Sequence, residues 1–311
     1  MLRFDASAML RNLILAVTNR PLVRRMATGR AGRIVARRFV AGDAIEDALV
    51  VVRALNERGM TASLDYLGEN VRDSAAAALA ADTYRGAIER IEAAGLRANL
   101  SVKLTQMGLA LDPEVAIGNA ALVAARAAEA DTTLTLDMED HRFTAPTVET
   151  CLRLADRYPG RMGVAVQAYL FRTPDDVERL IEAKVQVRLC KGAYREPRKI
   201  AHQHKDEVDR AYARMLVRLL SSEAYPMIAT HDARLITFAR EQVEKLGRDR
   251  ETFEFQMLYG VRRDLQDQLV RDGYRVRVYV PFGSEWYPYF MRRIAERPAN
   301  VRFFLRQLVG R

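Results

Sequence analysis

The sequence has little cysteine, no long apolar run and no cluster of residues at metal-ligand spacing. Only Cys151 and Cys190 occur in 311 residues, so we predict no disulfide framework and expect a reducing, cytoplasmic compartment. No apolar run approaches the roughly 18 residues that a membrane-spanning helix needs. His202 and His204 lie in a polar stretch without cysteines or carboxylates at zinc-ligand spacing, so no metal site is predicted.

Positive charge is abundant but confined to one end of the chain. The formal net charge is +9, and residues 1–40 contain nine arginines, no lysine and one acid, Asp5. We therefore predict a basic helical arm over residues 1–45 and a nearly neutral main domain over residues 46–311. The arm could contact anionic lipid or nucleic acid, act as a targeting segment, or pack on the domain with solvated arginines. The near-neutral domain argues against a nucleic-acid-binding module.

Short apolar runs recur along the rest of the chain, separated by helix-like segments with apolar residues at i, i+3 and i+4. The runs cover residues 61–67, 98–105, 133–139, 162–168, 185–192, 227–232, 253–258 and 276–282. Alternation of strands and helices indicates a parallel sheet with right-handed crossovers. Eight such units in about 240 residues predict an α/β fold of the (β/α)8 barrel type. The rival doubly wound sheet normally carries a G-x-G-x-x-G turn, and the sequence contains none.

Nearly every predicted strand ends in a charged or hydrogen-bonding residue. Reading these ends in order gives Asp65, Lys103, Asp137 with Glu139, Gln167, Arg188 with Lys191, Thr230 with His231 and Asp232, Gln256, and Tyr279. Active sites of such barrels lie at the carboxyl ends of the strands. Three of these residues, Lys103, Arg188 and Lys191, are cations, which predicts an anionic ligand.

Two adjacent arginines, Arg292 and Arg293, follow the last strand in the segment WYPYFMRR. Two guanidinium groups can grip one carboxylate through paired hydrogen bonds, and nearby tyrosines such as Tyr289 can supply an apolar wall. The residues alone thus favour a barrel enzyme for a small carboxylate. They leave open a Schiff-base aldolase, because Lys103 or Lys191 could attack a carbonyl.

Several segments, in order, resemble the proline dehydrogenase family of flavoenzymes. They are LSVKLT, LDMED, VAVQAYL, VRLCKGAYRE, IATHD, FEFQMLYG and YVPFGSEWYPYFMRRIAERPAN. The resemblance extends from about Ser63 to Leu305. It implies oxidation of L-proline to Δ1-pyrroline-5-carboxylate by hydride transfer to N5 of FAD, the first step of proline catabolism to glutamate. It also implies a single-activity enzyme with a quinone as electron acceptor, so the basic arm could hold it peripherally at the inner face of the membrane.

The same resemblance assigns roles residue by residue. Catalytic positions would be Lys103, Asp137, Arg188 and Tyr279. Proline would contact Lys103, Leu258, Tyr279, Tyr289, Arg292 and Arg293, of which the two arginines would bind its carboxylate. FAD would contact Gln167, Arg188, Lys191, Thr230, His231 and Gln256.

The sequence departs from the family pattern after the tyrosine of KGAY. Some relatives have tryptophan there, whereas this chain has Arg195. Glu69 follows the first predicted strand and Arg195 the fifth, and these strands face each other across an eight-stranded barrel. We therefore hypothesise an Arg195–Glu69 ion pair that closes a gate over bound substrate.

Overall fold

The computed structural model describes residues 36–68 and 71–295, and its main feature is a closed barrel of eight parallel strands in chain order. The barrel closes where β1 pairs with β8, from Thr61 opposite Arg277 to Tyr66 opposite Phe282. The strands are β1 (Thr61–Tyr66), β2 (Ala98–Val102), β3 (Leu134–Leu136), β4 (Met162–Gln167), β5 (Gln186–Cys190), β6 (Pro226–Ala229), β7 (Glu254–Leu258) and β8 (Val276–Phe282). The predicted (β/α)8 fold is confirmed.

Each of the eight predicted runs overlaps one strand, but four strands end at least two residues before their run does. β2, β3, β5 and β6 stop two or three residues before their predicted ends. Lys103, Asp137, Lys191 and His231 therefore follow their strands and lie where the backbone turns outward into a loop. Such positions are suited to binding or catalysis, because loop residues on a rigid barrel can face a ligand without interrupting the sheet.

Helices separate the strands and cover the barrel. Among the described residues they are α1 (Ile45–Glu57), α2 (Ser74–Ala93), α3 (Pro113–Glu129), α4 (His141–Arg157), α5 (Thr173–Glu182), α6 (Lys205–Leu220), α7 (Ala233–Leu246), α8 (Arg263–Arg271) and α9 (Trp286–Ala295). Asp73 caps α2 by accepting a hydrogen bond from the Ala76 amide, and Gly247 ends α7 in the left-handed conformation. None of these helices is both long enough and apolar enough to cross a bilayer.

Alternation along the strands separates an apolar layer from a polar interior. Outward residues such as Leu64, Leu100 and Val278 are fully buried in the core, together with helix residues such as Tyr84 and Ile88. Successive strand residues point to opposite faces. The intervening residues therefore point into the barrel, where many are polar, as Ser63 and its hydrogen-bonded neighbour Ser101 on β2 illustrate.

A second apolar cluster joins α9 to the last residues of the predicted arm. Phe39 packs against Phe290 with ring centroids 6.1 Å apart. Gly260, after β7, allows a close approach here, since a Cβ atom on it would lie 1.7 Å from the carbonyl oxygen of Arg38. The division at residue 45 stays a prediction, because residues 1–35 and 296–311 lie outside the described part.

Candidate active site

A cavity of about 560 Å³ opens at the carboxyl ends of the strands. That volume is within the usual range for small-molecule sites. Eleven predicted site residues line it: Lys103, Asp137, Gln167, Arg188, Lys191, Thr230, His231, Gln256, Leu258, Tyr279 and Tyr289. These residues come from seven strands or the loops that follow them and from α9, so only barrel closure brings them together.

Asp137 is the centre of the charged part of the cavity. Its Oδ1 accepts a short hydrogen bond from Nη1 of Arg188, and its Oδ2 accepts one of 2.5 Å from the Tyr279 hydroxyl. The Lys103 ammonium lies 3.7 Å from the same Oδ2. Two hydrogen-bond donors and one nearby ammonium group thus converge on one buried carboxylate from β5, β8 and the loop after β2, which restricts the relative positions of these side chains.

Asp65 forms a second buried ion pair, with Lys103, at the charged end of the cavity. Its Oδ1 accepts a hydrogen bond of 2.7 Å from Nζ of Lys103, and the Asp65 side chain has no solvent exposure. Burial raises the pKa of Asp65, and the nearby Asp137 adds to this, although Lys103 opposes it. Lys103 therefore lies between the carboxyl groups of Asp65 and Asp137.

Tyr279 packs against the Arg188 guanidinium, whose central carbon lies 5.3 Å from the ring centroid. Burial raises the pKa of Tyr279 well above its usual value, and the neighbouring Asp137 and Asp65 carboxylates act in the same direction. The hydroxyl therefore keeps its proton throughout the neutral and mildly alkaline range and acts as a hydrogen-bond donor.

Lys191 lies at the opposite side of the cavity, between two carboxylates. Its Nζ donates hydrogen bonds of 2.5 Å to Asp209 and 2.9 Å to Asp232. Burial raises the pKa of Asp232, but the hydrogen bond and charge of Lys191 outweigh it and bring the value to about 2. Lys205 contacts the same two carboxylates. The cluster is half-exposed, so its cations are accessible from the cavity.

The loop after β5 follows a path that Gly192 makes possible. Gly192 has a φ of 133°, and a Cβ atom on it would lie 2.4 Å from the Tyr169 ring. The next amide, of Ala193, donates a 3.0 Å hydrogen bond to Oε1 of Gln167. Nε2 of Gln167 donates to the Glu139 carbonyl. Gln167 is thus fixed by both ends of its amide and holds the loop against the cavity.

His231 also has a defined hydrogen-bonding role. Its Nε2 accepts a hydrogen bond of 2.9 Å from the amide of Leu258, which requires that nitrogen to be unprotonated. Oγ1 of Thr230 accepts from the amide of Asp232 at 3.1 Å. These contacts position the loop after β6 beside β7 at the cavity wall.

Three predicted residues cannot be placed. Arg292 and Arg293 belong to α9, but their side chains lie outside the described part, as does Glu69. Arg195 is exposed on the loop after β5 and does not line the cavity. The proposed clamp and gate therefore stay predictions.

Several residues that the structure places at the site have no role predicted from the sequence. Met138, Cys190 and Met257 line the cavity, and Asp65 and Asp232 provide carboxylates there. Both acids had been noted at strand ends, which was the available signal. Asp209 was missed because it lies on α6, and reasoning from strand ends does not reach a helix.

The chain is similar to known proteins over most of its length. The family model described as "Proline dehydrogenase" matches residues 48–306. Proline dehydrogenase 1 of Bacillus subtilis is 38% identical over 301 residues, covering 97% of this chain and 99% of that protein. Proline dehydrogenase of Deinococcus radiodurans is 39% identical over 303 residues, covering 96% of this chain and 97% of that one.

A solved structure supports the fold. Proline utilization A of Bdellovibrio bacteriovorus, inactivated by N-propargylglycine, superposes with a TM-score of 0.81 at 24% sequence identity. The match covers 93% of this chain but 36% of that protein. The barrel is therefore shared with one part of a much longer polypeptide.

Proposed function

Because the chain belongs to the proline dehydrogenase family, we propose that it oxidises L-proline to Δ1-pyrroline-5-carboxylate with FAD as the electron acceptor. The observation that carries the proposal is the convergence of Lys103, Arg188 and Tyr279 on Asp137 inside one cavity. The family resemblance assigns these four residues to catalysis, and they come from four separate strands or the loops after them.

The residues of the cavity are suited to FAD. Lys191 and Lys205 are half-exposed or exposed cations that could meet a pyrophosphate, provided that Asp209 and Asp232 yield part of their contact. Gln167, His231, Thr230 and Gln256 offer amide, imidazole and hydroxyl groups along the wall. Bound FAD would supply a two-electron oxidant that takes a hydride at N5. Arg188 would add positive charge beside the ring system.

The charged end of the cavity is suited to a small cyclic amino acid. We assign the carboxylate to Arg292 and Arg293, with Lys103 beside it. Tyr279, Tyr289 and Leu258 would enclose the ring; the first two are aromatic and all three line the cavity.

In this proposal the protein acts by binding and orientation. Asp137 holds Arg188 and Tyr279, and Asp65 holds Lys103, in fixed positions before substrate arrives, so little reorganisation is needed afterwards. The aromatic and apolar groups exclude water from the substrate carbon that loses the hydride. Proline would enter as the free amine, and no strong general base from the chain is required.

The Schiff-base aldolase alternative is not favoured. Attack on a carbonyl requires a neutral amine. Lys103 instead donates to Asp65 at 2.7 Å, and Lys191 donates to two aspartates. Borohydride trapping with small carbonyl acids should therefore leave both lysines unmodified.

An anaerobic titration of the purified protein with L-proline tests the function. The protein should show a flavin-like absorption spectrum, and L-proline should bleach it in proportion to the substrate added. D-proline serves as the matched control and should bleach it far less. A protein that stays colourless after incubation with FAD, or whose colour persists with L-proline, would refute the proposal.

The carboxylate clamp has its own test. An ammonium cannot reproduce the two-pronged geometry of a guanidinium. Arg292→Lys should therefore raise KM for proline at least tenfold, a loss of about 1.4 kcal/mol. Arg263→Lys, a change on α8, is the control and should leave KM unaltered. An unchanged KM in Arg292→Lys would count against the clamp.

We further propose a quinone as the acceptor and peripheral membrane contact through the basic arm. Replacement of Arg20, Arg24 and Arg25 by glutamine should abolish co-sedimentation with anionic vesicles but leave dye-coupled proline oxidation intact. Substitution is preferable to deletion of residues 1–40, because Phe39 and Val40 pack in the apolar cluster of α9. If the native protein and the triple glutamine variant sediment equally with the vesicles, the membrane contact is refuted.

The gate hypothesis predicts coupling between Arg195 and Glu69. Exposed ion pairs contribute only about 0–1 kcal/mol to stability, so its effect should appear in kinetics. The double variant Arg195→Ala/Glu69→Ala should lose less kcat/KM than the two single variants combined. Strictly additive losses would exclude the gate.

A further inference from the structure

A chain of hydrogen bonds runs through the barrel below the cavity. Nε of Arg277 donates to Oε1 of Glu254 at 2.7 Å, and Nε2 of Gln256 donates to the same oxygen at 2.6 Å. Oε1 of Gln256 in turn accepts a 2.5 Å hydrogen bond from Nε of Arg188. Arg188 then reaches Asp137 at the charged end of the cavity. The chain thus links the barrel floor to the site.

The order of donors and acceptors along this series of hydrogen bonds is fixed. An ionised carboxylate can only accept hydrogen bonds, whereas an amide has one accepting end and one donating end. Burial alone would raise the pKa of Glu254, but the charge and hydrogen bond of Arg277 and the hydrogen bond from Gln256 hold it below its usual value. Glu254 is therefore ionised at neutral pH. The NH2 end of the Gln256 amide must face it, because a carboxylate can only accept hydrogen bonds.

This orientation matters to Arg188. With its NH2 group turned to Glu254, Gln256 presents its oxygen to the Nε–H of Arg188. Without an acceptor at position 254 the NH2 group of Gln256 would be buried and unpaired, which favours a different side-chain conformation in which that group finds another acceptor. The Gln256 oxygen would then no longer face the Nε–H of Arg188. Arg188 would have to move or lose this contact.

We propose that Glu254 is a positioning residue that orients Arg188 in the active site through the side chain of Gln256, while Arg277 holds the Glu254 carboxylate in place by an ion pair. Neither residue lines the cavity, so neither touches a ligand bound there. Glu254 is almost completely buried and Arg277 largely so. Their effect on the reaction is indirect, and its kinetic consequence depends on the proposed function.

The size of the effect follows from the geometry of the cavity. Arg188 contacts Asp137 and the Tyr279 ring, so a change in its orientation disturbs two further residues of the site. Displacements of about 1 Å in an active site can reduce rates about 100-fold. A partial loss of orientation should reduce kcat/KM roughly tenfold on the same basis.

Two double variants isolate the hydrogen bond to Gln256. Glu254→Leu/Arg277→Met and Glu254→Gln/Arg277→Met remove the same two charges. The second keeps an amide oxygen that accepts from Gln256, whereas the first does not. Removing both charges together avoids an unpaired buried arginine, which would threaten folding. The two proteins therefore differ in the acceptor under test.

Crystal structures and kinetics of both variants give separate readouts. In the leucine variant the Arg188–Gln256 hydrogen bond should be lost and kcat/KM should fall about tenfold, mainly through kcat if Arg188 acts on the reacting groups. In the glutamine variant the hydrogen bond should remain and kcat/KM should stay within about twofold of the native value. Unaltered Arg188 in both structures would overturn the proposal, as would equal kcat/KM in the two variants.

A third variant tests the proposal if the two double variants do not fold. Gln256→Met removes the contact to Arg188 but leaves the Glu254–Arg277 ion pair, and it should reproduce the shift of Arg188 and the kinetic loss. An Arg188 that keeps its native orientation there would refute the proposal. The crystallographic readout is independent of substrate. If Arg188 moves as expected but the native protein does not oxidise proline, the function is wrong and the positioning role stands.

Discussion

The hydroxyl of Tyr279 donates a 2.5 Å hydrogen bond to Oδ2 of Asp137, although 142 positions separate the two residues in the chain. The contact crosses the barrel from β8 to the loop after β3. It gives Asp137 a neutral donor in addition to its cationic partners, and it holds the tyrosine ring against Arg188. This relationship leads to the first of five predictions.

Tyr279→Phe removes the donor to Asp137 and keeps the ring. Loss of a hydrogen bond to a buried charged group should reduce the free energy of unfolding by about 1.5–3 kcal/mol, measured by urea denaturation. The kcat/KM for proline should also fall, because Asp137 loses one of its fixed contacts. Tyr66→Phe, which alters a tyrosine at the end of β1, is the control, and equal stability in the two variants would contradict the prediction.

The raised pKa of Tyr279 gives a further expectation for the native enzyme. Since burial and the neighbouring carboxylates hold this pKa well above its usual value, Tyr279 should not ionise below pH 10. A profile of log kcat/KM against pH should show the same alkaline limb in native protein and in Tyr279→Phe. A limb near pH 10 that disappears in the variant would show that the hydroxyl titrates there.

Lys103 and Asp65 form a pair whose parts depend on each other. Lys103→Met leaves the fully buried Asp65 without its cationic partner, which should destabilise the fold by about 3–5 kcal/mol. The double variant Lys103→Met/Asp65→Leu should recover most of this loss, because no unpaired charge remains. A double-mutant cycle by urea denaturation measures the coupling, and additive effects would show that the ion pair is unimportant for stability.

Thr135 on β3 is buried, and its hydroxyl has no hydrogen-bond partner among the described residues. Thr135→Val has nearly the same shape and removes the unsatisfied group. The variant should be as stable as the native protein or more stable by about 1 kcal/mol, as measured by thermal unfolding. Thr173→Val is the contrasting control, because the Thr173 hydroxyl donates a 2.6 Å hydrogen bond to the Gln167 carbonyl. A Thr135→Val protein that loses as much stability as Thr173→Val would contradict the assignment.

The ion pair of Lys191 with Asp232 should make the free energy of unfolding depend on pH in the acid range. Burial opposes ionisation of Asp232, but Lys191 brings the pKa of Asp232 to about 2, below the value of an unfolded chain. A depressed carboxyl pKa stabilises the fold above the unfolded value, and this contribution is lost as pH falls from about 4 towards 2. Lys191→Met should therefore lose less stability than the native protein between pH 5 and pH 3.

Urea denaturation at several pH values in this range measures the difference. Lys245→Met, at the exposed end of α7, is the control and should follow the native curve. Parallel curves for native protein and Lys191→Met would show that the Asp232 carboxylate does not depend on Lys191.

The sequence alone determined the barrel and the edge at which its site lies. Strand and helix periodicities follow from local backbone geometry, so apolar alternation revealed all eight strands. Polar residues at their ends, among them Lys103, Asp137 and Arg188, indicated the mouth. The limits of β2, β3, β5 and β6 were less accurate, because the end of a strand depends on pairing with its neighbours.

Only the tertiary structure decided which groups meet. The cations Lys103, Arg188 and Lys191 predict an anionic ligand, but in the structure each of them is paired with a carboxylate. Asp209 reaches Lys191 from a helix, which no strand pattern could reveal. Glu254 lies two positions before Gln256 on β7, so strand periodicity places both side chains inside the barrel. The same periodicity does not reveal the contact of Glu254 with Arg277. Such pairs form across strands or between strand and helix, and their distances are set by the register and closure of the whole barrel.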